Sequence, residues 1–171
     1  MTDELNWDDV ASELADTHEA PREDDMVEQE PELVAVTPRD RDELYEIVSN
    51  CLHARYCDEV QIDDDGDFEL DHRGHGLWVR VLENPLRIGL MARVVAQVPD
   101  TQAAGLHLAI DGPRYGDCQL GLRPEGVWQY AILPARIFAA VVFDDFFDSY
   151  LKNFDVAQAD LVLRGMGKAF T

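Results

Sequence analysis

Apolar positions along this chain follow two periods, one helical and one of strict alternation, and the switches between them mark out its elements. Leu44, Ile47, Val48, Cys51, Leu52 and Arg55 repeat at helical spacing, which predicts an amphipathic helix over 38–56. Thr37 is its expected N-cap and Pro38 its first residue, with acids in the first turn facing the positive end of the helix dipole.

The period then drops to two. Val60 and Ile62, then Phe68 and Leu70, alternate on either side of Asp64-Asp65-Gly66-Asp67, as two strands joined by a hairpin turn. A bend at HRGHG precedes the strand LWVRVL, and the turn ENP separates it from the longer LRIGLMARVVAQV. Leu77, Val79 and Val81 share one face with Leu86, Ile88, Leu90, Ala92 and Val94, and that face is the expected core side. Trp78, Arg80, Arg87, Met91 and Arg93 stand on the opposite face. Arginine, tryptophan and methionine are enriched at protein interfaces, so these five are the candidate partner-binding residues. The alternative is a face covered by the protein's own tail or helices.

Residues 101–111 fit both periods. Asp100 is placed to cap a short helix, yet Leu106, Leu108 and Ile110 alternate and Gly105 weakens a helix. After the loop GPRYGD, Cys118, Leu120 and Leu122 predict a strand, Arg123-Pro124-Glu125-Gly126 a turn and VWQYAIL the last strand. Pro134 is then expected to open a long final helix. Along it Phe143, Phe146, Phe147, Tyr150, Leu151 and Phe154 fall on one side, with Asp144, Asp145, Asp148, Ser149, Lys152 and Asn153 opposite. Its first part is apolar on both sides, because Ile137, Phe138, Val141 and Val142 lie away from the later aromatic face. These four are the expected interface of a homodimer.

The chain before this body has another character. Asn6 can cap a short helix with Trp7, Val10, Ala11 and Leu14 in one stripe, followed by the acidic, proline-containing THEAPREDDMVEQEPE. Residues 1–36 are thus expected to be a disordered acidic tail, either purely solubilising or docking through Trp7, Val10 and Leu14. Residues 37–171 are expected to form a single α+β domain in the order α-β-β-β-α-β-β-α, its antiparallel sheet packed against N- and C-terminal helices. With 46% hydrophobic residues in 171, that body has ample material for a core.

Charge narrows the partners. The formal charge is −21, of which residues 1–37 carry −12. Such a chain repels phosphate backbones and anionic lipid surfaces, so a protein or peptide partner with basic segments is expected, and neither nucleic acid nor membrane. Twelve arginines against two lysines suit a GC-rich genome, since salt adaptation would spread the acids over every face. Three cysteines without C-x-x-C spacing, and an acidic opening MTDELNWDD, point to reduced thiols in the cytoplasm. The longest apolar run, Ile137 to Phe143, is far short of the roughly 20 residues of a transmembrane helix.

Candidate chemistry changes little. Asp144-Asp145-Phe146-Phe147-Asp148 spells D-D-x-x-D, the magnesium signature of class I terpenoid enzymes. Yet its acids occupy the wet side of a helix, and neither a second acidic motif nor an all-helical cavity accompanies it. The stretch QIDDDGDFEL fails as a calcium loop, because with Gly66 in sixth place the first and twelfth ligands would be Gln61 and His72. Cys51, His53, Cys57, His72 and His75 lack zinc-site spacing, and His107, within an apolar run, is expected to be a satisfied core or edge residue. Catalytic residues, metal and cofactor are all expected to be absent. What remains is a binding module, with a small-ligand sensor or an enzyme of unrecognised site as the alternatives.

The capped helix TPRDRDELYEIV, the acidic hairpin QIDDDGDFEL leading into LWVRV, and the apolar helix after AILP resemble, in this order, the type III secretion chaperone and YbjN-like superfamily. The likeness spans about residues 38–155. It implies a small acidic dimer that binds extended or helical segments of other proteins on its sheet and helix surfaces, without catalytic residues or cofactors.

Overall fold

Asp40 rather than Thr37 caps the first helix. Its carboxylate accepts the Glu43 N–H at 2.9 Å, and the Glu43 carboxylate accepts the Arg39 N–H at 2.7 Å. Amides of the opening turn thereby gain side-chain acceptors. In the computed structural model, which describes residues 34–169, this helix, α1, therefore spans Arg41–Tyr56. Pro38 is buried ahead of it. Trp7, Val10 and Leu14 lie outside the described residues.

The alternating segments become strands: β1 Ala35–Val36, β2 Gln61–Ile62, β3 Phe68–His72, β4 His75–Leu82 and β5 Arg87–Ala96. After helix α2, Thr101–Asp111, come β6 Gln119–Arg123, β7 Gly126–Pro134 and β8 Phe138–Ala139, then helix α3, Ala140–Leu163. Apart from three strands of two residues each, this is the expected α-β-β-β-α-β-β-α order. The main sheet is antiparallel, in the order β2-β3-β4-β5-β7-β6. Its acidic hairpin turn is held by Asp63, which accepts the N–H groups of Asp65 at 3.0 Å and Asp67 at 2.9 Å.

Residues 101–111 are helical because Asp100 accepts two amide protons, from Gln102 and Ala103, at 3.0 and 2.9 Å. Pro134 does not open the last helix; it ends β7. The Ala135 N–H is taken by the Leu86 carbonyl at 3.0 Å, and after a bend at Arg136 and Ile137 strand β8 pairs with β1, Val36 opposite Phe138 and Ala35 opposite Ala139. A two-residue pairing between segments a hundred residues apart leaves no periodic trace in the sequence.

All three helices lie on one side of the main sheet. Leu44, Val48 and Leu52 of α1, and Phe143, Phe147, Tyr150 and Phe154 of α3, form one core with Leu77, Val79, Val81, Ile88 and Leu90, while Gly105 of α2 faces Leu122 of β6. Each such large side chain contributes roughly 1.5–3 kcal/mol on burial. Gln129 of β7 is fully buried among them. Its amide donates to the Tyr150 carbonyl at 2.9 Å, and the Tyr150 hydroxyl donates back to the Gln129 carbonyl at 3.2 Å, so the polar group sits in the core with partners for its donors.

A second polar tie fastens α2 to α3. The buried His107 ring lies 2.9 Å from the Tyr115 hydroxyl and 3.0 Å from Asp111, and that hydroxyl donates to Asp160 at 2.5 Å. Arg164 closes the far side of Asp160 at 2.8 Å. His107 is thus the satisfied core histidine its surroundings predicted.

Candidate functional site

Antiparallel pairing fixes which side chains share the sheet face away from the helices. One cross-strand row joins Trp78, Met91, Tyr130 and Gln119, the next joins Arg80, Gly89 and Ile132, and a third joins Leu82, Arg87 and Pro134. Arg93, Trp128 and Gly121 form a further row on the other side of the first. Inward neighbours such as Val79, Leu90 and Ala131 are buried, whereas Trp78, Met91, Trp128 and Tyr130 are half-buried and Arg80 and Ile132 exposed. The expected core and outer faces of β4 and β5 are therefore those observed.

At Gly89 the outer face has no side chain, and a groove of about 250 Å³ opens there. Trp78, Met91 and Tyr130 wall it on one side, Leu82 and Ile132 on the other, and Arg80 and Arg123 stand at its rim. Aromatic rings and guanidinium groups interleave beside it. Trp78 and Trp128 lie 5.8 Å apart; Arg93 and Arg123 each stand 6.0 Å from the Trp128 ring, and Arg123 is 5.1 Å from that of Tyr130. Stacking of this kind holds long cationic side chains flat against the sheet. Arg80 is fixed differently, by the buried carboxylate of Asp67 at 2.6 Å. Burial pushes the Tyr130 phenol above its ordinary range, with the Arg123 guanidinium partly offsetting it.

Of the five residues expected to meet a partner, Trp78, Arg80 and Met91 line the groove. Arg87 stands one row from Gly89, and Arg93 lies against Trp128. The structure adds Gly89, Arg123, Trp128, Tyr130 and Ile132. Their signal was present in VWQYAIL, where alternation groups Trp128, Tyr130 and Ile132, but the polar Gln129 makes the wrong parity look like the wet one.

The expected dimer stripe divides. Ile137, Val141 and Val142 are 69%, 39% and 46% exposed, whereas Phe138 is 3% exposed and packs against Phe143 at 5.8 Å. Phe138 lies in β8, ahead of the helix, and belongs to the chain's own core. In the D-D-x-x-D stretch Asp145 and Asp148 are exposed, Asp144 is half-buried, and Asp148 pairs with Arg55 of α1. Among the described residues no three His, Cys, Asp or Glu side chains gather as a metal site would require. Burial pushes the thiols of Cys51 and Cys118 up, which keeps them protonated and poorly nucleophilic.

The class thus defined is an α+β module with its helices on one side of an antiparallel sheet and an aromatic, arginine-rimmed groove on the other. The family model described as T3SS (YopN, CesT) and YbjN peptide-binding chaperone 1 (TY-Chap1) matches residues 42–171, and the chain belongs to that family. None of the curated proteins matches it. Among the described residues no helix is long and apolar enough to cross a membrane.

Proposed function

We propose that this protein is a cytoplasmic, non-enzymatic binding module that holds an extended segment of another protein against the outer face of its sheet. One observation carries the reading: the groove over Gly89 is open, apolar at its base and walled by Trp78, Met91 and Tyr130, the kind of socket that anchors a partner's side chain. The family's description as peptide-binding supports it. A photoreactive amino acid in place of Met91 is expected to cross-link to a bound partner segment, while the same group in place of the exposed Asn50 of α1 stays unreacted. Cross-links confined to position 50 would refute the reading.

The chain is further proposed to act as a homodimer. Val34, Val36, Ile137, Val141 and Val142, on and beside the β1–β8 pair, are 39–69% exposed. A second copy would remove this apolar surface from water.

A further inference from the structure

We propose that the segment received on the outer sheet face is both apolar and acidic, with an apolar side chain over Gly89 and carboxylates against Arg87 and Arg123. This rests on the peptide-binding reading of the same face and adds the partner's chemistry to it. The chain as a whole is strongly acidic, and its net charge alone points to basic partners. The outer face of β4 to β7 reverses that sign. Its charged residues are Arg80, Arg87, Arg93 and Arg123, four of the chain's 12 arginines, and the acids of this face, Asp67, Glu69 and Asp71, belong to β3 or its approach. Asp67 is already engaged by Arg80. Arg87 and Arg123 have no carboxylate partner among the described residues.

Unsatisfied donors on this face favour the same ligand. Arg87 Nε, the Trp128 indole nitrogen and the Tyr130 hydroxyl are shielded from water and have no partner among the described residues. The first two can only donate. Among the described residues the Arg123 guanidinium over the two rings is held by stacking alone, so a ligand can displace it and reach them. What fits is a ligand rich in acceptors, and a carboxylate meets a guanidinium through two parallel hydrogen bonds while cancelling its charge. Single-stranded nucleic acid also offers anions and stacking bases. A polymer with one charge per nucleotide, however, extends past the four arginines into the field of a chain whose net charge is −21. A short acidic peptide stays within the cationic area.

The test uses fluorescein-labelled short peptides in which Leu and Phe alternate with Glu, Gln or Lys, titrated with the full-length protein and followed by anisotropy. The Glu peptide is expected to bind about tenfold or more tighter than the Gln peptide, with the Lys peptide weakest. That advantage should shrink as salt rises. The double variant Arg87→Gln with Arg123→Gln should lose the preference for Glu, so that its affinities for the Glu and Gln peptides converge. Equal binding of the three, or tighter binding of the Lys peptide, overturns the acidic assignment. If their affinities nevertheless fall in a Gly89→Val variant, the groove reading stands without it. Failure of all three to bind removes the groove reading too. Oligo-dT that binds more tightly than the Glu peptide, and competes with it, overturns the choice of a peptide.

Discussion

Replacing Gly89 with valine should separate binding from folding. A Cβ placed on Gly89 comes to 3.7 Å from Leu82 Cδ1 and 3.9 Å from the Arg80 carbonyl, ordinary contact distances. The site therefore admits a side chain without strain. Glycine within a strand weakens it, and a β-branched residue in the centre of a sheet is favoured, so the variant should be as stable as the parent or more stable by up to about 1 kcal/mol. The new methyl groups would occupy the floor of the groove of about 250 Å³ between Trp78 and Ile132. A partner side chain excluded from it forfeits roughly 1.5–3 kcal/mol of burial, which is about a 10- to 100-fold rise in Kd. Urea denaturation of the two proteins checks the first expectation, and anisotropy titration with the acidic apolar peptide checks the second. Undiminished affinity in a folded variant would refute the groove as the anchor. A variant that is itself destabilised would mean that the outer face is packed more tightly than the contacts around Gly89 indicate.

Three further outcomes are expected. Val141→Asp should convert a dimer to a monomer by light scattering with its circular dichroism retained, since an unpaired charge in a packed interface costs roughly 3–5 kcal/mol; a parent protein already monomeric at micromolar concentration would refute the dimer. Gly126→Ala should destabilise by more than about 1 kcal/mol in urea, because Gly126 has φ +144 and a Cβ there would stand 1.9 Å from the Val95 carbonyl oxygen; an unchanged midpoint would contradict this. At the α2–α3 tie, the Tyr115 hydroxyl and then Arg164 hold the Asp160 carboxyl below its ordinary range, while burial and then Asp160 push the Tyr115 phenol up. Stability from Asp160 should thus be complete above its unfolded pKa of about 3.9 and fade as pH falls through the lower folded value. Stability from Tyr115 should be complete below about pH 10 and fade above it. Tyr115→Phe should cost about 1–2 kcal/mol near neutrality and flatten both limbs of the urea midpoint against pH, and limbs identical to the parent's would contradict the assignment.

The sequence revealed the sheet more fully than its ends. Alternation is unbroken within each strand, Leu77 to Val81 and Ile88 to Val94, and one face of both is buried, so register and parity are strongly specified and the outer set from Trp78 to Arg93 follows. In VWQYAIL the same rule misleads, because Gln129 occupies a core position that only Tyr150, a distant residue on α3, makes tolerable. Half of the groove was hidden behind that one residue. Gly89, its floor, has no side chain to carry a pattern, and its meaning appears only once Arg80 and Ile132 are seen to flank it. Helix starts shifted for a related reason. Asp40 and Thr37 are both competent caps, and the choice was made by Glu43 and by the buried position of Pro38. Phe138 precedes the helix, paired with Val36 of β1, so a helical period does not place its side chain.

The central claim, that the outer sheet face receives the partner, is tested most directly by the indole N–H resonances of Trp78 and Trp128 in a ¹⁵N-labelled protein. Trp78 walls the groove and Trp128 stands behind it, 5.8 Å away, its N–H without an acceptor among the described residues. Titration with the acidic apolar peptide is predicted to shift both signals at the same rate as the backbone amides of Gly89 and Met91, with the Trp128 proton moving downfield as it gains an acceptor. Saturable binding that leaves both indole signals in place and instead moves the amides of α1 or α3 would contradict the account.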